Sequence, residues 1–339
     1  MAGGIAGKIR SSAWKDNGLV KALVLGINGQ DGSYLGELLL ERGVEVIGWI
    51  PSSIPASLKN IQHIIKRIQL VEGSLSDQED INGCIEEHRP DEIYNLASPS
   101  SPAASWDSTV EVGDIAGLGV ARLLEAIRVI RPAAHFYQAS SSELFGNPVD
   151  VPQDEKTPFR PKNPYGIAKL YAHWLTVRYR QEYGLFAVSG ILFNHESPRR
   201  GLQFVTRKIT HTAAKIKLGL ESELRLGNLD ARRDWGYARD YTEAMWLMMQ
   251  QEAADDFVIG TAETHSVREF CEMAFGFLDL EYRDYVVQDP QFYRPLEKRQ
   301  LVADYSKASK KLGWHPKMKF VELVKLMVDA DLDTLQSNR

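Results

Sequence analysis

Tyr165 and Lys169 stand four residues apart in Pro164-Tyr165-Gly166-Ile167-Ala168-Lys169. On a helix that spacing puts both side chains on one face, one turn apart. An ammonium beside a phenol favours the phenolate, so the pair reads as a tyrosine acidic enough to exchange a hydroxyl proton at neutral pH. The same spacing also occurs on solvated helix faces; its place after a fifth strand-like run points it toward catalysis. Glu143 follows three serines in Gln138-Ala139-Ser140-Ser141-Ser142-Glu143, where such a strand ends. A carboxylate at that edge sits where substrate meets cofactor and can act as a base. Ser-x-x-Glu also spells a helix capping box, which is the local alternative.

A second constellation is built for phosphate. Leu23-Val24-Leu25-Gly26-Ile27-Asn28-Gly29-Gln30-Asp31-Gly32 sets three glycines between a strand and a helix. Glycine permits positive φ and lets backbone N–H groups approach a pyrophosphate at a helix N-terminus. Gly26, Asn28, Gly29, Gln30, Asp31 and Gly32 are therefore the expected dinucleotide turn. The end of the second strand normally chooses the cofactor: an acid for the ribose of NAD, an arginine for the 2′-phosphate of NADP. Here it reads Trp49-Ile50-Pro51-Ser52-Ser53, neither of the two, with Ser52, Ser53 and Lys59 the available donors.

The elements that must hold these groups alternate. Strand-like runs occur at Lys21–Leu25, Val44–Trp49, Ile68–Glu72, Glu92–Leu96, His135–Ala139 and Ala187–Leu192, and segments such as Tyr34–Arg42 and Val112–Ile130 show helical apolar spacing. Pro132 stops the second helix. The fold class expected is α/β: a Rossmann-type, doubly wound parallel sheet with a smaller C-terminal α/β substrate domain. The expected organisation is an N-terminal arm over residues 1–19, an NAD(P)-binding domain over 20–193 and a sugar-nucleotide domain over 194–339, with interleaving segments allowed. After about Asn194 the pattern loosens, so this part is expected to cap the sheet rather than extend it, ending in an amphipathic helix near Phe320–Leu332.

A net charge of −5 offers no basic field for nucleic acid or an anionic membrane. Two isolated cysteines, Cys84 and Cys271, argue against a disulfide framework or zinc site and for a reducing cytoplasm. No apolar stretch approaches the length of a membrane helix, and residues 1–17 carry no apolar core of a signal peptide. The apolar faces of Val112–Ile130 and of the helix from Tyr165 to Glu182 are expected to pair with a second copy, giving a homodimer or homotetramer.

Together these residues resemble the extended short-chain dehydrogenase/reductase superfamily and, within it, the GDP-mannose 4,6-dehydratases. The resemblance runs from about Lys21 to Leu312. It rests on the glycine turn through Leu35, Pro90-Asp91-Glu92-Ile93-Tyr94-Asn95-Leu96-Ala97, Leu123-Leu124-Glu125-Ala126-Ile127-Arg128, Leu192-Phe193-Asn194-His195-Glu196-Ser197-Pro198-Arg199-Arg200-Gly201, Val205-Thr206-Arg207-Lys208-Ile209 and Leu226–Gly236. It implies a redox-neutral cycle: oxidation at C4 of a nucleotide sugar, loss of water across C5 and C6, and hydride return to C6. Tyr165 with Lys169 would handle the 4-OH proton and Glu143 the C5 proton, with Ser141 standing where the family has threonine. Cofactor contacts are implied for the glycine turn, Ser52, Ser74, Leu75, Leu96, Ala97, Ser98, Tyr165 and Lys169. Substrate contacts are implied for Ser100, Asn194, Arg200, Lys208 and Arg233, with Arg294 and Glu297 at the nucleotide end. No metal is implied, and His195 is read as a brace.

Three departures stand out. Pro51 and Ser52 replace the family's arginines for the NADP 2′-phosphate, Ser74 replaces an aspartate, and Ser98-Pro99-Ser100-Ser101-Pro102 replaces a more polar run. NADP by family habit and NAD by loss of those arginines are both expected as cofactor. A 4-keto-sugar reductase or epimerase would share the fold and the Tyr–Lys pair. Glu143 separates it from a dehydratase, because simple reduction at C4 needs no base at C5. A catalytically silent nucleotide-sugar binder would have lost these groups, and they are present.

Overall fold

A computed structural model describes residues 19–52, 57–292 and 300–337. The expected N-terminal arm, apart from Leu19, lies outside them, as do Ser53, Arg294 and Glu297. Six strands follow in chain order: β1 (Lys21–Leu25), β2 (Glu45–Pro51), β3 (Gln69–Gly73), β4 (Glu92–Asn95), β5 (His135–Ser141) and β6 (Ala187–Leu192). All are parallel to their neighbours. Across the sheet the order is Asp256–Ile259, β6, β5, β4, β1, β2, β3. The order reverses between β1 and β4, which opens a crevice at the carboxyl ends of these strands.

Alternation explains the layers. In β1, Leu23 and Leu25 face one side and Ala22 and Val24 the other. The first pair packs with β4 Ile93 and β5 Phe136 under α2 (Gln78–His88), α4 (Gly119–Ile130) and α5 (Pro164–Tyr183), through Ile81, Leu124 and Ala172. The second packs under α1 (Gln30–Glu41) and the helix Ala238–Met249, through Leu35, Leu39, Tyr241 and Met245. Both faces are therefore apolar, as a parallel sheet requires.

Two expectations are corrected. The C-terminal half does extend the sheet: Asp256–Ile259 pairs in parallel with β6, held by a bidentate Arg180–Asp256 ion pair with N–O distances of 3.1 and 2.7 Å. Four residues are too few to show a period, and the partner strand lies far back in the chain. Val112–Ile130 is not one α-helix. The short α3 (Thr109–Gly113) runs through a π-helical turn, Asp114–Leu118, into α4. Gly113, Gly117 and Gly119 lower the local α-helical preference there.

The rest of the C-terminal half builds its own cluster. α6 (Val205–Lys217), the helix Val267–Gly276 and the helix Phe320–Ser337 close over Trp235, Phe270 and Phe320. Among the described residues no helix is long and apolar enough to cross a membrane, and no group of acidic, His or Cys side chains could hold a metal. Cys84 and Cys271 are unpaired.

Candidate active site

The glycine turn lies at the mouth of the crevice. Gly26 has φ +81°, and a Cβ there would stand 3.1 Å from the backbone of Ala97, in the chain leaving β4. A Cβ on Gly32 would meet the Gly26 carbonyl oxygen at 2.2 Å, so only glycine lets the turn fold back on α1. No side chain caps α1, whose N-cap is the exposed Gly29. Its first N–H groups are thus left for an anion, and the cradle fits a dinucleotide pyrophosphate. Leu96, Ala97 and Ser98, half-buried, line the same edge after β4.

The adenosine end is less built. Pro51 and Ser52 are exposed, and the Ser52 N–H donates to Gly73 O. The Ser74 hydroxyl accepts from Ser76 N, and Leu75 is buried beneath the turn. Lys59 lines a cleft of about 240 Å³ with His63, Arg199, Arg207 and Asp331.

The catalytic candidates converge at the end of β5. α5 starts at Asn163, whose side-chain oxygen accepts from Gly166 N at 2.7 Å, continues with Pro164 in its first turn, and ends at Gly184 in the left-handed conformation. Tyr165, Lys169 and His173, four apart, face the sheet and are buried, while Ile167, Tyr171 and Trp174 are about half exposed on the other side. The Ser141 hydroxyl accepts from the Glu143 N–H at 3.2 Å and hydrogen-bonds the Tyr165 phenol. Glu143 Oε2 accepts from Asn163 Nδ2 at 2.7 Å. Lys169 Nζ donates to Ala139 O at 3.0 Å and stands 5.7 Å from the Tyr165 ring centre. Ser141, Glu143, Tyr165 and Lys169 therefore lie in one cluster, with Tyr165 and Lys169 on one helix face as their spacing requires.

The electrostatics of that cluster differ from the expectation. Burial pushes the Tyr165 phenol up to about 12; the Ser141 hydrogen bond and Arg200 pull it down, and Glu143 pushes it up. Burial likewise lowers Lys169 to about 8, against the Asp31 carboxylate. Lys169 does not make the phenol acidic here, because its ammonium is engaged with the Ala139 carbonyl rather than with the phenol oxygen.

A network invisible in the sequence ties the cofactor turn to the Asn194–Gly201 run. Burial alone would raise Asp31, but His195 Nε2, 2.8 Å from its carboxylate, together with Gln30, lowers it below the usual value. Burial would lower His195, yet Asp31 raises it, and its Nδ1–H donates to Phe193 O. Both ring nitrogens thus face acceptors, which favours the imidazolium. Gln30 donates to His195 O and accepts from the Ser197 hydroxyl. His195 is the brace expected of it.

The substrate candidates are more scattered. Arg200 stacks on Phe204, its Nε 3.3 Å from Glu196, close enough to act on Tyr165. Asn194, half-buried, starts a short strand paired with Trp235–Tyr237. Arg233 lies on a two-residue strand opposite His265–Ser266. Lys208, on α6, donates to Arg225 O at 2.7 Å and lies over the Phe292 ring. Ser100 is exposed in the loop after β4. Asn163 was not singled out from the sequence, although asparagine immediately before Pro-Tyr is a legible helix start.

A family model described as GDP-mannose 4,6 dehydratase matches residues 23–327. Over 334 residues the chain is 48% identical to GDP-mannose 4,6 dehydratase 1 of Arabidopsis thaliana, spanning 94% of this chain and 92% of that protein. Its fold is similar to the dTDP-glucose 4,6-dehydratase of Bacillus anthracis in complex with NAD: TM-score 0.82, 21% identity, 94% of this chain and 98% of that one. It is also similar to the RMD protein of Pseudomonas aeruginosa complexed with NADPH: TM-score 0.79, 20% identity, 93% of this chain and 99% of that one.

Proposed function

The chain belongs to the GDP-mannose 4,6-dehydratase family and has that family's lyase activity; on that premise we propose that it converts GDP-mannose to GDP-4-keto-6-deoxymannose with the side chains gathered at the end of β5. The observation that carries the assignment of roles is the single cluster of Ser141, Glu143, Tyr165 and Lys169 beside the glycine turn. A nicotinamide dinucleotide held at that turn supplies the hydride acceptor and donor that make oxidation at C4 and reduction at C6 cancel.

The residues do the proton work. Tyr165 acts as the base in its phenolate form, so the raised phenol must first lose its own proton to solvent. Its oxygen, oriented by Ser141, then takes the proton of the sugar 4-OH as the C4 carbonyl forms. That carbonyl acidifies the C5 proton, which Glu143 removes. The proton then held on Glu143 can leave with the C6 hydroxyl as water. Lys169, fixed on the Ala139 carbonyl, places positive charge on the Tyr165 face of α5. Lys208, Arg233 and Arg200 are suited to the diphosphate by charge, and Arg294 with Glu297 to the guanine end.

Among the described residues that end β2, the exposed Pro51 and Ser52 offer the 2′-phosphate of NADP neither a guanidinium nor a carboxylate. NADP and NAD are both accepted on this reading. The exposed Ile167, Tyr171 and Trp174 on α5, with Val110 on α3 and Leu118 in the π turn, form an apolar strip. A second copy covers it by two-fold pairing. Incubation with GDP-mannose tests the reaction: mass spectrometry should show loss of one water with no net change in nicotinamide. Stoichiometric reduction or oxidation of the cofactor would instead point to a reductase.

A further inference from the structure

The Asn163 side chain joins two parts of the site. Its oxygen caps α5 by accepting from Gly166 N, and its amide donates to Glu143 Oε2, both at 2.7 Å. The first bond fixes which end of the amide points where: an N–H at Gly166 requires the oxygen, so the NH₂ must face the carboxylate. The residue is buried, and its neighbour Gly166 packs so closely that a Cβ there would lie 2.9 Å from Glu143 O. The start of the helix carrying Tyr165 thus rests directly on the residue carrying the base.

We propose that Asn163 is a positioning residue for C5 proton removal: it holds one oxygen of Glu143 so that the other meets the C5 proton, and it locks that aim to the helix presenting Tyr165. The proposal rests on the reading of Glu143 as the C5 base. Cap chemistry alone does not require asparagine. Ser, Asp and Asn cap helices about equally well. Only asparagine also donates to the carboxylate from this position, since an ionised aspartate has no donor and serine is too short.

That equivalence supplies the test. Asn163→Ser keeps the cap and is expected to melt close to the parent protein, whereas Asn163→Asp keeps the cap but sets a second buried carboxylate against Glu143 Oε2 and should melt somewhat lower. Asn163→Asp should lower kcat about ten- to a hundredfold, the loss expected when a charge-assisted hydrogen bond goes, and Asn163→Ser somewhat less. KM should hold in both. Because C5 proton removal then limits the cycle, the isotope effect on kcat with substrate deuterated at C5 should rise, and reduced nicotinamide should accumulate transiently. A parent-like isotope effect in both variants, or a fall in kcat matched by lost melting temperature and slowed C4 oxidation, overturns the proposal. Glu143→Gln is the control on the premise. If it turns over normally, the reading of Glu143 itself has failed; if it is inactive while the Asn163 variants behave as the parent, only the role of Asn163 has.

Discussion

The end of β5 and the surface of α6 are built in different ways. At β5, Tyr165 and Lys169 are 8% and 3% exposed, and the cluster is fixed by bonds to backbone or to short side chains. At α6, Lys208 is half-buried and its neighbours come from a single 3-10 turn and a three-residue strand. The difference teaches where precision is needed. Proton transfer fails with small errors in position, so its candidate groups sit at the end of an interior strand and on a long helix. A diphosphate tolerates several arrangements of cations, so its candidates can sit on less regular chain.

The largest break in this comparison is Tyr165→Phe. It removes the atom proposed to handle the 4-OH proton, and kcat should fall by about 10²–10⁴ with KM little changed. A variant turning over like the parent would take Tyr165 out of the mechanism. Lys208→Ala should show the opposite signature. Loss of one charge-assisted contact to a diphosphate should raise KM about tenfold or more while kcat holds. A pure kcat loss would move Lys208 into the chemical cluster.

The cofactor expectation is smaller. With Pro51 and Ser52 at the β2 end, dissociation constants for NADP and NAD should agree within about tenfold, since the bidentate contact that separates them is missing. A thousandfold preference for NADP would place a basic residue at the phosphate.

The smallest effect concerns the Asp31–His195 pair that ties the two regions. His195 is raised above its ordinary value of 6.5, so its contribution to stability is complete below about pH 6.5 and is lost as pH rises through the folded value. Asp31 is lowered from 3.8, so its share is present above about pH 3.8 and is lost in acid. The melting gap between the parent and His195→Gln should therefore be widest near pH 5–6 and narrow toward pH 9. A gap that widens with pH would contradict the charged pair.

Much of the sheet was legible because each strand is a local signal. β1 and β6 fall on the expected residues, and β2, β3, β4 and β5 differ only at their ends. The glycine turn and the Tyr165–Lys169 spacing were legible for the same reason, since both are short-range patterns on one element. The Asp256–Ile259 strand was not, because four residues carry no period and its partner, β6, lies 67 positions earlier in the chain, with Ser189 opposite Asp256. Nor was the break in Val112–Ile130, where the apolar spacing continues through a change of helix type.

The sequence by itself determined which residues share a helix face and where the backbone must be glycine. Only the tertiary structure decided what each charge faces. Burial raised Tyr165 and lowered Lys169, reversing a reading made from the pair alone. Folding brought His195 to Asp31 across 164 positions of chain, and Asn163 to Glu143 across 20. Spacing along a helix is set by the covalent chain, whereas desolvation and hydrogen-bond partners depend on everything that packs around a group.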